Sequence, residues 1–319
     1  MRAACRVALV EPELAPAAVT TPTRDFSVQL HFPHSLRSVV NSVLEVATEI
    51  QVEVVCGGLP CKPRFGGLVV EAISDVCMIV AYLSGEVEVD PRAAAERARF
   101  LVSAAPLHTC LKGVTPSQQL RVERYAGTSD FEISTREPAP STASSNFRLT
   151  TWNKPTDTMR LDDMRFDYAV EFEMPLFRSV IKTAKDLQAE RVRLRIIERA
   201  GRPSFVVSCV GKDASVEHTF DSVEQLPAAD DGSGGAADLA FSPEPAAVAP
   251  APAPQDRDVV VRFDEEFPAD KLHVFIKSVD KSTVSMQLAQ GKPLLMSYTL
   301  GDPDSSMSFI LVPYSCIEQ

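Results

Sequence analysis

Two stretches of the sequence share one pattern, SVQLHFP at residues 27–33 and AVEFEMP at residues 169–175. A second match follows each of them, RSVV at 37–40 and RSVI at 178–181. Apolar residues then recur at helical spacing, and an alternating strand pattern comes after them. Proline suits the first turn of a helix, because its fixed φ fits there and its missing N–H would be unpaired. The pattern therefore predicts a repeated module of strand, proline, amphipathic helix and strand.

Two further copies of this module are visible, FLVSAAP at 100–106 and VVVRFDEEFP at 259–268. The four marker prolines are Pro33, Pro106, Pro175 and Pro268. Their first two intervals are nearly equal, and the third is longer because it contains residues 226–256, which are rich in Pro, Ala, Gly and Asp. Such a segment buries too little apolar surface to offset the entropy of ordering. We expect four helices, about sixteen short strands and a disordered insertion at 226–256.

The composition excludes several classes of protein. The chain has 319 residues, 45% of them hydrophobic, which is enough for one or two globular domains. No apolar run approaches the ~20 residues of a membrane-spanning helix, and the first residues lack the pattern of a secretory signal. The seven cysteines are scattered along the chain, so we expect reduced thiols in an intracellular protein and no metal site. No cofactor is expected either. A net charge of -11 argues against nucleic-acid binding by the whole surface, but not against a local basic lining.

Four modules in two pairs, each with one helix and several antiparallel strands, resemble the DNA sliding clamps. The resemblance covers residues 24–319, and its closest pieces are YAVEFEMPLFRSVIKTAKDLQAERVRLRI at 168–196 and PLLMSYTLGDPDSSMSFILVPY at 293–314. It implies an α+β fold of two similar domains, each with two helices on antiparallel sheets. The implied divisions are a flexible tail at 1–23, domain A at 24–151, a connector at 152–166 and domain B at 167–319.

Within this family, the sequence is similar to two kinds of subunit. The replicative clamp, proliferating cell nuclear antigen, usually lacks a long Pro/Ala loop and has an Asp-Ser-Ser-His turn where this chain reads AISDVCMIV at 72–80. Residues 193–220 and 147–164 look more like the Rad-one subunit of the nine-one-one DNA-damage checkpoint clamp. The resemblance therefore favours a heterotrimeric checkpoint subunit. The alternative is a homotrimeric replicative clamp, a processivity factor for DNA polymerase.

The polar faces of the predicted helices are basic although the protein is acidic. In clamps the helices line the central hole, so the resemblance implies that these faces meet duplex DNA. Contacts to phosphates are electrostatic and independent of sequence, and they suit a ring that slides. The alternative is an ordinary solvated helix surface. The candidate DNA-facing residues are Arg37, Lys112, Arg178, Lys182, Lys185, Lys277 and Lys281.

A second candidate surface would bind partner peptides. In clamps, client peptides insert apolar anchors into a groove between the connector and the C-terminal tail. The matching residues would alternatively cover the underlying sheet without binding anything. They are Met159, Leu161, Met164, Val312, Pro313 and Tyr314.

An enzymatic function is not expected. Asp162, Asp163 and Asp167 form an acidic cluster, but they alternate with other residues in the connector and do not converge as nuclease carboxylates do. No catalytic triad order, phosphate loop or zinc spacing occurs. The resemblance implies a nuclear protein whose partners are duplex DNA, two other clamp subunits, a clamp loader and client repair or replication proteins, with no membrane. A scaffold that keeps the fold without encircling DNA is a further alternative.

Overall fold

The structure is a computed structural model of the whole chain. The residues it describes are 24–59, 62–90, 98–141, 143–152, 164–199, 201–220, 223–226, 259–279 and 283–317. The expected tail at 1–23, nearly all of the insertion at 226–256 and most of the connector lie outside these ranges. Within them, four longer helices and one short helix accompany seventeen strands, close to the predicted number.

The first half of the chain contains eight strands and two helices. They are β1 Arg24–Leu30, α1 Pro33–Val43, β2 Glu49–Val55, β3 Gly67–Ile73, β4 Cys77–Val89, β5 Arg99–Ser103, α2 Ala104–Leu111, β6 Gln119–Tyr125, β7 Asp130–Arg136 and β8 Ser144–Trp152. The EVEV segment at 86–89 reads as a short strand of its own in the sequence, but it is not a separate strand in the structure. The segment continues β4 without an intervening turn. Residues 78–84 of β4 pair with β3, and residues 85–89 pair with β1.

The second half contains nine strands, two longer helices and one short helix. They are β9 Tyr168–Glu173, α3 Met174–Asp186, β10 Arg191–Arg199, β11 Arg202–Val210, β12 Ser215–Phe220, β13 Val223–Gln225, β14 Val259–Pro268, α4 Ala269–Ser278, β15 Thr283–Leu288, β16 Leu294–Leu300, β17 Asp302–Leu311 and α5 Tyr314–Ile317. The sequence pattern did not predict β13 or α5, which have three and four residues.

Three of the four prolines lie where the repeat predicted a helix start. Pro33 begins α1, Pro175 is the second residue of α3, and Pro268 immediately precedes α4. Pro106 is instead the third residue of α2. The first four N–H groups of a helix have no partner inside it, so a proline at the third position still removes no helical hydrogen bond.

Each half uses the same strand order twice. In the first half the orders are β1-β6-β7-β8 and β5-β2-β3-β4, and in the second they are β9-β15-β16-β17 and β14-β10-β11-β12. All of these neighbours are antiparallel. The two halves join where β4 pairs with β17, from Cys77↔Leu311 to Tyr82↔Ser306. We call this pairing the seam.

The ladders define which residues are counterparts in the two halves. Across the four adjacent strands of the first half, successive ladder partners are Val28, Val122, Ile133 and Phe147. In the second half they are Val170, Met286, Met296 and Phe309, so each residue of the first series is the counterpart of the residue in the same place of the second. Thus β8 is the counterpart of β17. The same procedure makes β12 the counterpart of β4, with Val216 in the place of Ile79.

The helices cover one face of the sheets and form a row in the order α2, α1, α4, α3. The predicted apolar stripes are confirmed. Val39, Val40 and Val43 of α1 are fully buried, as are Val180 and Ile181 of α3. Burying one such side chain stabilises the fold by roughly 1.5–3 kcal/mol. The stripe thereby fixes which side of each helix remains outside.

Candidate nucleic-acid interface

Four candidate lysines lie on the exposed side of the helix row. Lys182 and Lys185 are exposed on α3, Lys277 is exposed on α4, and Lys112 is exposed directly after α2. The helical period places Lys182 and Lys185 on one face, opposite the buried stripe. Lys281 lies outside the described residues. The row therefore presents lysines from both halves of the chain on its outer side.

The two candidate arginines are held by backbone carbonyls. Arg37 Nη1 donates to the carbonyl of Val114 at 3.1 Å, and Arg178 Nη2 donates to the carbonyl of Val279. Val114 and Val279 follow the ends of α2 and α4, where helix carbonyls lack helical partners and a positive charge is favourable. Both arginines are half-buried. Each one ties the two helices of its half together, a role that the repeated RSV motif did not reveal.

Two polar contacts join the helices across the exposed surface. Lys277 Nζ lies 3.0 Å from Glu45 Oε2 and so connects α4 to the residues after α1. Lys185 Nζ lies 3.2 Å from His273 Nε2 and connects α3 to α4. Burial lowers the pKa of His273, and the nearby charge of Lys185 lowers it further. Glu45 and His273 were not among the candidate residues.

Two lysines of this surface carry uncompensated charge. Among the described residues, no carboxylate forms an ion pair with Lys182 or Lys185. Lys185 borders a cleft of about 620 Å³ whose lining includes Glu45, Ala189 and Tyr314. A flexible ammonium group attracts a phosphate without reading a base. The arrangement suits electrostatic binding of a polyanion.

The described residues hold no cluster of three His, Cys, Asp or Glu side chains placed to bind a metal ion. No helix in the described ranges has the length and apolarity needed to cross a membrane.

The candidate partner groove is described only in part. Met159 and Leu161 lie outside the described residues, and Met164 is half-buried. Val312 donates its N–H to the carbonyl of Val76 at 3.0 Å, beside the turn that follows β3. Ile73, the last residue of β3, is 43% exposed although it is large and apolar.

The tail continues away from that turn. Pro313 is buried, and the ring of Tyr314 lies 4.2 Å from the guanidinium carbon of Arg191. Ser315 Oγ donates to Glu265 Oε2 at 2.7 Å, which holds α5 against β14. Val312 therefore lies beside the turn after β3, and Tyr314 packs against Arg191 of β10. Ile73 was not among the predicted groove residues.

Several described strands keep an open edge, among them β13 and β14 at the ends of their sheets and the two strands β8 and β12. Among the described residues, β12 pairs only with β11, and β8 pairs with β7 along its length but with β5 only at Thr151 and Trp152. These strands are the counterparts of β4 and β17, which pair with each other at the seam. We call β8 and β12 the open edges.

The comparisons with known proteins identify the fold. No protein-family model matches the sequence, and no curated protein sequence matches it. Solved structures do match. Proliferating cell nuclear antigen from Entamoeba histolytica is 12% identical, with a TM-score of 0.65 over 91% of this chain and 99% of that one. The chain therefore has the sliding-clamp fold, as the sequence predicted.

Two further solved structures support the same class of fold. Proliferating cell nuclear antigen from Thermococcus kodakaraensis is 12% identical, with a TM-score of 0.62 over 90% of this chain and 99% of that one. A complex of two such proteins from Sulfolobus tokodaii is also 12% identical, with a TM-score of 0.63 over 91% and 99%.

Proposed function

We propose that this chain is a non-catalytic subunit of a ring that encircles duplex DNA. The carrying observation is that the two open edges are counterparts of the two strands that pair at the seam. When one edge of a subunit pairs with the other edge of the next, the contacts are head-to-tail. Such contacts form a closed ring if the rotation between neighbouring subunits is a whole fraction of a full turn. The helix row with Lys182 and Lys185 would then face the hole.

The seam predicts how two subunits would pair. At the seam Phe309 lies opposite Ile79, and their counterparts at the open edges are Phe147 and Val216. Phe147 of one subunit is therefore expected opposite Val216 of the next. Both side chains are half-buried and would lose water on pairing. The remaining side chains of β12 are mostly polar, which is how exposed sheet edges avoid indiscriminate pairing.

The finer proposal is a heterotrimeric DNA-damage checkpoint clamp located in the nucleus. This proposal is supported by where in the chain the similarity to the checkpoint subunit lies. The segments most like the Rad-one subunit are residues 193–220, which contain β12, and residues 147–164, which follow the start of β8. These strands would determine which subunits bind on either side. Its partners would be two other clamp subunits, a clamp loader and client repair or replication proteins.

The mass of the purified full-length chain in solution tests the assembly. As a heterotrimer subunit, the chain should remain monomeric at micromolar concentration and form a ring only with two different clamp chains. A stable homotrimer would instead establish the alternative, a homotrimeric replicative clamp. A chain that pairs neither with itself nor with any clamp chain would contradict both forms of the ring and leave a scaffold.

Retention of the assembled ring on duplex DNA tests the helix surface. Changing Lys182 and Lys185 to Glu should weaken retention equally for all sequences and reduce the salt dependence by roughly one unit of slope per lost contact. The matched control reverses two exposed charges outside the helices, Arg64→Glu and Arg202→Glu. Equal retention of both double variants at ~100 mM salt would show that the helix surface does not bind DNA.

A further inference from the structure

His273 lies in the middle of α4 and faces Lys185 of α3. The distance from Lys185 Nζ to His273 Nε2 is 3.2 Å. A lysine ammonium group only donates hydrogen bonds, so Nε2 must accept and the ring proton resides on Nδ1. Among the described residues Nδ1 is buried and has no hydrogen-bond partner. The contact therefore selects a neutral imidazole in one tautomer.

Charged groups from three elements surround this imidazole. The cations are Lys182 and Lys185 of α3 and Lys271 and Lys277 of α4, and the anions are Glu45, Glu190 and Asp270. Lys277 pairs with Glu45 at 3.0 Å, and Lys271 pairs with Asp270 at 3.5 Å. The remaining positive charge, together with burial, lowers the pKa of His273, and only Glu45 acts in the opposite direction.

We propose that Lys185 and His273 form a binding site for one phosphate group, and that His273 takes up a proton from solvent when the phosphate binds. As applied to DNA, this inference rests on the proposed function. Lys185 is exposed, so its ammonium group is free to turn outward and admit the anion. The phosphate oxygens then accept one hydrogen bond from Nζ and one from the newly protonated Nε2.

The bound anion reverses the electrostatic situation of the imidazole. Without it, a second proton on the ring would lie beside the ammonium group of Lys185. With it, each cation faces a negative charge, and the charged form of the ring is favoured. Binding and protonation are therefore linked, so a lower pH should strengthen phosphate binding. A rise of about one pKa unit corresponds to tenfold tighter binding below both pKa values.

Imidazole NMR of the full-length chain tests the site directly. The chain has five histidines, and the His273→Gln variant identifies the resonance of His273. Titrations between about pH 5 and pH 8 are run on the chain alone, with inorganic pyrophosphate, and with a short duplex DNA. In the chain alone, the pKa of His273 should lie below the ordinary value of ~6.5. Each phosphate ligand should raise it by about one unit.

DNA affinity supplies the second measurement. Binding of the duplex by the assembled ring should be roughly five- to tenfold tighter near pH 6 than near pH 8, and His273→Gln should remove this difference. His108→Gln is the matched control, because His108 is the histidine on α2 in the other half. That variant should keep the full pH dependence.

Each combination of results decides a separate point. If pyrophosphate raises the pKa of His273 in the single chain and the ring assembled with its partner chains is not retained on duplex DNA, the phosphate site stands and the DNA ring fails. If DNA binds and His273→Gln retains the pH dependence, the ring stands and this inference is overturned. If neither ligand shifts the resonance of His273, the inference is overturned whatever the fate of the ring.

Discussion

The seam and the open edges occupy equivalent positions, yet their strands are built differently. At the seam, β4 and β17 bury Ile79, Phe309 and Ile310 almost completely. At the open edges, β12 exposes Glu217, His218 and Thr219. The two pairs of strands therefore differ in composition although they occupy counterpart positions. Near their pairing, the seam strands β4 and β17 are apolar on both faces, whereas β12 keeps a polar outer face.

The outer faces of the two halves differ in charge as well. Glu53 of β2 pairs with Arg99 of β5 at 2.8 Å. At the counterpart ladder positions, β10 has Arg195 and β14 has Asp264. Arg195 itself pairs with Glu217 of β12 at 2.6 Å. The signs on the two strands are thus exchanged between the halves, so the two outer faces differ in charge although their backbones follow the same plan.

Truncation of the two counterpart phenylalanines, Phe309 and Phe147, should affect stability to very different extents. Phe309 is fully buried and packs against Phe275 with ring centroids 5.5 Å apart. Phe309→Ala should lower the free energy of unfolding by about 3–5 kcal/mol. Phe147→Ala at the open edge should cost well under ~2 kcal/mol, because Phe147 is only half-buried in the single chain. Chemical denaturation of both variants measures the contrast, and equal losses would contradict it.

A second change acts on assembly and leaves folding intact. Val216→Asp places a carboxylate where an apolar contact with Phe147 of the next subunit is expected. The subunit dissociation constant should rise by at least about tenfold, while the melting temperature of the single chain stays within a few degrees. Analytical ultracentrifugation and a thermal melt give the two readings. Thr219→Asp, on the same exposed strand, is the matched control, since its expected partner at the edge is Ser144.

A third change measures how much a side chain beside the seam contributes to stability. Lys62 extends from the loop after β2 and donates to the carbonyl of Asp304 at 2.9 Å and to Ser306 Oγ at 3.1 Å. Its ammonium group also lies 4.9 Å from the ring centroid of Tyr82. Lys62→Met should lower the free energy of unfolding by about 1 kcal/mol. Lys212→Met, beside the open edge, should change stability by less than ~0.5 kcal/mol in the same denaturation experiment.

The smallest expected effect concerns Glu71 of β3, whose counterpart near the open edge is Ser208. Burial raises the pKa of Glu71, and the charge of Glu53 adds to that rise. A raised pKa in the folded state means that stability is lost as the pH rises through it. Glu71→Gln should therefore stabilise the protein at pH 7 by up to about 1 kcal/mol, with the gain fading towards pH 4. Melting curves across this range measure it, and a gain that grows on acidification would refute the assignment.

The sequence predicted the local elements better than the contacts between them. Pro33, Pro175 and Pro268 located helix starts because the constraint acts within one turn. The pairing of β4 with β17 joins residues more than two hundred positions apart in the chain, and no periodicity encodes such a partner. The four lysines found on helix faces could be predicted from spacing alone. The contacts of Arg37 and Arg178 could not, since a helical wheel gives direction but not reach.

The carbonyl contacts of Arg37 and Arg178 affect how easily a ring built from this chain would slide along DNA. Arginine binds phosphate through two parallel hydrogen bonds in a fixed geometry, which makes each contact slow to break. Here both guanidinium groups are already engaged by the protein backbone. The helix row is left with lysines, whose single mobile charge exchanges one phosphate for the next over a low barrier. A ring lined in this way would diffuse along DNA with little drag, held by the number of its contacts and not by the grip of any one.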